Sequence, residues 1–181
     1  MATTSVHDRS NVKAEARRAK RVVKSCTIQR RPEELYRFWR NLENLPRFAK
    51  HLISVRTINE KESHWVAKSP AGTTSEWDAE ITSEHENHFI AWHSLKGSQI
   101  DHAGTVRFEP APGGQGTEVR VMLDYIPPLG KLGALVAKLY GEEPDIQVEE
   151  DLSRFKALME TGEIPTTEGQ PVGGRNKRSR R

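Results

Sequence analysis

Cysteine is nearly missing from this 181-residue chain: Cys26 is the only one, so no internal disulfide can form and no cysteine-based zinc site can be built. It reads as a small apolar residue on a strand. Long apolar runs are missing as well. Nothing approaches the roughly 18 residues that a membrane span requires, and the leading "MATTSVHDRSNVKAEARRAKR" lacks the apolar stretch of a signal peptide. The expected setting is cytoplasmic, peripheral to a membrane at most. Hydrophobic residues make up 35%, aromatic residues only 7%, and mean hydropathy is −0.72, which suits one core with polar ends and excludes two full domains.

Positive charge is scarce in the body of the chain, although the whole carries +3. Residues 1–24 hold seven Lys/Arg against Asp8 and Glu15, and residues 163–181 hold five against Glu163 and Glu168, a surplus of eight that leaves residues 25–162 at −5. A nucleic-acid reader carries its basic patch on the folded surface, interleaved with aromatic or hydrogen-bonding groups. Here the basic residues sit at the ends, so specific nucleic-acid binding is not expected. Such ends can make weak contact with an anionic membrane surface, against the plainer reading of solvated, disordered segments. The expected organisation is a disordered basic segment over 1–20, one domain over 21–162 and a disordered basic tail over 163–181.

Periodicity divides the domain into three. "RVVKSCTIQ" (21–29) alternates loosely and predicts a first strand. "RPEELYRFWRN" opens with Pro32, Glu33 and Glu34 in a first helical turn and places Leu35, Phe38, Trp39 and Leu42 at helical spacing; "NLPRFAKHL" predicts a second short helix interrupted at Pro46. From 53 to 125 six strands are expected near 53–59, 63–69, 73–83, 88–94, 102–109 and 117–125. Turn-rich links such as "SPAG" and "APGGQG" separate them and imply antiparallel pairing. "APGGQG" has no helix N-terminus after it to receive a phosphate, so it reads as a hairpin loop. Helix returns in "PPLGKLGALVAKLYGEE", where Leu129, Leu132, Leu135, Val136 and Leu139 share a face, and in "DIQVEEDLSRFKALMETG", where Val148, Leu152, Phe155 and Met159 do.

Alternate residues of a strand share a face. Trp77, Ala79 and Ile81 oppose Glu76, Asp78 and Glu80. Ile90, Trp92 and Ser94 form the apolar parity of the next strand, then Gly104, Val106 and Phe108, then Val119, Val121, Leu123 and Tyr125. The parity of "SHWVAK" is ambiguous for Trp65. One face of the sheet is apolar and aromatic and the other faces water. The residues alone leave two readings open: a solid core under the last helix, or a hollow with Ser94 and Tyr125 as polar handles at its rim.

The order β-α-α-β6-α, with "RPEELYRFWRNLENLPRF", "HWVAKSPAGTTSEWDAEI", "IAWHSL", "AGTVRFEPAPGGQGTEVRVMLDYIPP" and "EEDLSRFKALMETGEI", resembles the START/Bet v 1-like (SRPBCC) superfamily in its polyketide cyclase/dehydrase and coenzyme Q-binding branch. The resemblance runs from Arg21 to Gly162. It implies an α+β helix-grip fold: a seven-stranded curved antiparallel sheet wrapped on a long C-terminal helix, with a tunnel between them for lipid, quinone or polyketide-like molecules. On that reading the ligand-binding wall comprises Trp65, Trp77, Trp92, Val106, Phe108, Val121, Leu123 and Tyr125, with Leu135, Val136, Leu152 and Phe155 from the helical lid.

Chemistry does not carry over, because no shared catalytic motif is present. His85 and His88 lie in a charged turn, no HExxH occurs, and His93 falls on the outer parity, so no metal is expected; nor is a cofactor. Parity sends Glu76, Asp78, Glu80, Glu109 and Asp124 outward and leaves Tyr125, His102 and His51 as inward proton-transfer candidates. The expected function is binding of a hydrophobic small molecule without catalysis. The alternatives are a cyclase or dehydratase acting on a polyketide-like substrate, and a membrane-associated accessory protein held by its basic ends, with the Leu-rich helix carrying Lys131 and Lys138 against the bilayer.

Overall fold

A computed structural model of the chain describes residues 20–68, 72–98, 100–126 and 144–164, with Lys20, Tyr125, Ile126 and Pro144 described by backbone alone. The elements run β1 (Lys20–Ile28), α1 (Pro32–Arg40), a 3-10 helix (Leu42–Arg47), β2 (Leu52–Thr57), β3 (Glu62–Lys68), β4 (Thr74–His85), β5 (Phe89–Ser94), β6 (Asp101–Pro110), β7 (Thr117–Ile126) and α2 (Pro144–Thr161), with a 3-10 turn at Pro112–Gly114. The seven strands form one antiparallel sheet ordered β1-β7-β6-β5-β4-β3-β2. This is the helix-grip architecture. Register shifts between Leu52 and Ser54 and between Ile81 and Ser83 mark bulges, which bend the strands that carry them.

The second helix of the expected pair is 3-10 rather than α. Pro46 lies inside it, has no N–H to donate and crowds the carbonyl four residues back. The predicted Leu-rich helix, with Leu135 and Val136, lies outside the described residues, as do the basic ends 1–19 and 165–181. No helix among the described residues is long and apolar enough to cross a membrane.

The strand faces follow the alternation. Ser75, Trp77, Ala79 and Ile81 are buried on β4, His102, Gly104, Val106 and Phe108 on β6, and Thr117, Val119 and Val121 on β7. Trp65 resolves inward with Ser63 and Ala67, because β3 pairs Trp65 with Trp77 and turns His64 outward to Asp78. On the outer face His93 Nε2 meets Glu80 Oε1 at 2.9 Å.

Helix α2 buries Val148, Leu152, Phe155 and Leu158 against the sheet. Its C-terminal carbonyls are capped from afar: Arg30 Nε donates to Met159 O at 2.8 Å and Nη2 to Glu160 O at 3.0 Å. One end of the interior is solid. Trp39, Phe48 and Phe155 pack with ring centroids 4.8 to 5.1 Å apart, and Phe108 meets Tyr36 edge-on at 6.0 Å. The Tyr36 hydroxyl donates to Glu84 Oε2 at 3.1 Å, and Arg40 Nε grips the same oxygen at 2.6 Å, which fastens α1 to β4.

Candidate ligand cavity

The other end of the interior is hollow. β3 and β4 supply Trp65 and Trp77 as a directly opposed cross-strand pair, their rings stacked at 5.8 Å and 27°. β5 supplies Trp92, β6 His102, and β7 Val121 and Leu123. Trp39, Leu45, Phe48 and Leu52 line the wall next to the solid end, and α2 closes it with Gln147, Val148, Asp151 and Leu152. All four tryptophans of the chain therefore border one space. Its volume is about 90 Å³. That exceeds the roughly 10–15 Å³ one water needs and falls below the roughly 300–1,000 Å³ that encloses a drug-sized ligand.

The expected wall is thus divided in two. Trp65, Trp77, Trp92, Val121, Leu123 and Leu152 border the hollow. Val106, Phe108 and Phe155 do not: each is fully buried, and the two phenylalanines belong to the aromatic stack with Tyr36, Trp39 and Phe48, which fills the space beneath α1. Ser94 also stands off the wall, and its Oγ accepts the His102 backbone N–H at 3.1 Å, joining β5 to β6. The side chain of Tyr125 and the whole of Leu135 and Val136 lie outside the described residues.

Three polar side chains of the wall enter through this geometry. His102, at 7% exposure, stands edge-on to both indoles, 6.1 Å from the Trp65 ring and 5.4 Å from that of Trp77. Burial holds its imidazole neutral and lowers its pKa to about 4; its own backbone carbonyl opposes the drop and the nearby His51 adds to it. His51 Nδ1 stands 3.5 Å from Asp151 Oδ2. The other oxygen of Asp151 accepts from Arg154 Nη2 and, at 3.3 Å, from the Lys50 N–H, while Arg154 Nε donates to Phe48 O at 2.8 Å. This deeply buried carboxylate is held by the two hydrogen bonds to its Oδ1.

Sequence reasoning singled out His51 and His102 but missed Asp151 and Gln147. The signal for Asp151 is present: Val148, Asp151, Leu152 and Phe155 follow the helical pattern of one buried face, so a carboxylate sits among the apolar positions of α2. Among the described residues no group of three or more His, Cys, Asp or Glu is placed to hold a metal ion. Cys26 is half-buried, its Sγ 3.8 Å from Leu152 O, and burial pushes its thiol up to about 11.

The family model described as polyketide cyclase/dehydrase and lipid transport matches residues 28–152. The chain belongs to this family. Among solved structures, the polyketide cyclase/dehydrase chain is similar to DR_A0006 from Deinococcus radiodurans, at 39% identity over 80% of this chain and all of that one, with a TM-score of 0.65. It also shares its fold with the di-domain aromatase/cyclase StfQ of the steffimycin biosynthetic pathway, at 14% identity and TM-score 0.57, over 80% of this chain and 52% of that one. A curated relative, an uncharacterized 17.2 kDa protein from Streptomyces lincolnensis, is 28% identical across 77% of this chain and 85% of its own length.

Proposed function

We propose that this polyketide cyclase/dehydrase family member binds a predominantly apolar small molecule in the tryptophan-lined cavity and holds it without reacting it. One observation carries the reading: the four tryptophans converge on a hollow when the same sheet packs solidly a few residues away. Interiors are close-packed, and a void in a well-built core forfeits contact energy on every side, so a preserved hollow points to an occupant. Lipid, quinone and polyketide-like molecules are the candidate classes, of which a volume of about 90 Å³ admits only a compact part.

Native mass spectrometry of the purified protein, paired with solvent extraction, tests this. The expected result is a copurifying or added guest, such as toluene, at near one per chain, lost in Leu152→Trp, which fills the hollow from α2. Absence of any guest together with no saturable uptake of toluene would overturn it.

A second reading, a cyclase or dehydratase, is favoured by His102 and by the His51 and Asp151 pair on the wall, two imidazoles in unlike surroundings. Turnover of a polyketide-like substrate that disappears in His102→Leu while Trp-cavity binding persists would decide for it.

A further inference from the structure

Phe48 belongs to both ends of the interior. It lines the hollow, and its ring also packs against Phe155 at 4.8 Å and Trp39 at 5.1 Å in the solid end. Trp39 borders both as well, edge-on to Phe155 at 5.1 Å. These two rings form the partition between hollow and solid core, and where they stand fixes how far the hollow extends. Their backbones differ in support. Trp39 rides on α1, whereas Phe48 caps the 3-10 helix and opens an irregular connection, residues 48–51, that leads into β2. Backbone of that kind has no regular ladder of its own and takes its partners from elsewhere.

Those partners come from α2. Arg154 Nε donates to Phe48 O at 2.8 Å, and the Lys50 N–H donates to Asp151 Oδ1 at 3.3 Å. One side chain thus grips a carbonyl and the other an N–H within the same three residues. Arg154 Nη2 donates to the same Asp151 oxygen, which joins the two prongs into a single clasp, and its Nη1 reaches Glu150 Oε2 at 3.2 Å. The pair contributes little net stability. The Arg154 and Asp151 side chains are only 12% and 11% exposed, and an ion pair so nearly enclosed loses in desolvation much of what it gains in attraction. Apolar residues of similar size would hold α2 to its neighbours as well, but they would not fix the Phe48 carbonyl in place.

Size gives that fixity a consequence. The hollow of about 90 Å³ falls short of the roughly 150 Å³ in which an apolar core encloses one benzene. A second fused ring therefore fits only if a wall recedes. β3 to β7 are tied side by side into the sheet, so the wall that depends on side-chain contacts for its position is the one that carries Phe48.

We propose that the Asp151 and Arg154 clasp sets the size limit of the cavity by pinning Phe48, so that the site takes a guest presenting a single ring and turns away one presenting two fused rings. This rests on the binding reading above and adds the size selectivity of the same site. Phe48 is specificity-determining, and Asp151 and Arg154 are positioning residues that act through it.

The test titrates the full chain, labelled with nitrogen-15, with toluene and with naphthalene. Its four tryptophans give four indole N–H resonances, assigned with single Trp→Phe variants. The native chain is expected to bind toluene saturably and naphthalene about tenfold more weakly, although the larger apolar area of naphthalene would favour it in an open site. Phe48→Ala is expected to reverse that order, with Phe48→Leu as the second variant should the first lose its fold. The double variant Asp151→Asn/Arg154→Met removes both charges together and orphans neither; it is expected to raise the naphthalene to toluene affinity ratio toward that of Phe48→Ala and to displace the Trp39 indole resonance in the unliganded protein. Arg30→Met is the control, because it removes a different fastening of α2, at Met159 O and Glu160 O, and is expected to lower stability without changing the ratio. Naphthalene binding the native chain as tightly as toluene, a ratio unmoved in the Phe48 and double variants, or a Trp39 resonance that stays in place in the double variant overturns the size limit but leaves the binding cavity standing. No binding of either probe, with no copurifying guest, overturns both.

Discussion

Gly104 shows how a single missing side chain sets the interior. Parity places it inward between His102 and Val106, where a glycine in a strand normally weakens packing, and only the register shows that the Trp92 ring takes the vacated place. Gly104→Ala is expected to drive Trp92 and Leu123 off β6, to destabilise the fold by about 1–3 kcal/mol as overpacked cores do, and to displace the Trp92 indole resonance in the unliganded protein. A chemical-denaturation curve and one nitrogen-15 spectrum read both effects; an unchanged Trp92 resonance would refute the close approach. The inward tryptophans were legible from alternation alone at 77 and 92. Trp65 was not, because Val66 and Ala67 give both faces of β3 an apolar residue, and the direct pairing with Trp77 decides it. Asp151 was hidden for a different reason: a carboxylate reads as a surface group until its partners Arg154 and the Lys50 N–H are known.

At the level of elements, the succession of antiparallel strands and their hairpin turns was written in the sequence, because the turns carry Gly, Pro, Asn or Ser where the backbone demands them, whereas the pairing of β1 with β7 was not. The hairpin between β6 and β7 is the sharpest case. Gly116 has φ of 90°, and a Cβ there would strike the carbonyl oxygen of Ile28 and fall 2.8 Å from Gln29 Cα. Neither atom can yield, since both are backbone at the end of β1. Gly116→Ala is therefore expected to cost about 2 kcal/mol or more, against a small effect for Gly113→Ala, whose added Cβ meets nothing within 4 Å even though its φ is also positive. Thermal melts of the two variants side by side measure the difference, and it is the gap between them that carries the claim. The division of the sheet's apolar face into a solid and a hollow end could not be read from periodicity. Phe108 and Trp92 obey the same alternation, and what separates them is that α1 and the 3-10 helix bring Tyr36, Trp39 and Phe48 over one end only.

For the molecule as a whole, the buried imidazole couples the cavity to pH. His102 has a folded pKa of about 4, against about 6.5 in an unfolded chain. Between those values the unfolded state binds the proton and the folded state does not, so stability rises with pH through this window and falls as the solution is acidified from 6.5 toward 4. A displacement of this size on a group buried this deeply corresponds to on the order of 3 kcal/mol. Glu84 acts in the same direction from a lower range: burial opposes ionisation, but the hydrogen bonds from Arg40 and Tyr36 prevail and hold its carboxyl below the ordinary value, so its contribution is lost only as pH falls through that depressed pKa. The two are separable because their windows differ. In urea titrations at a series of pH values, His102→Leu is expected to flatten the slope between 6.5 and 4 while leaving the steeper acid limb, and Glu84→Gln to do the reverse. Unfolding free energies of the native chain that do not change across the upper window would mean that the folded protein already admits a proton to His102.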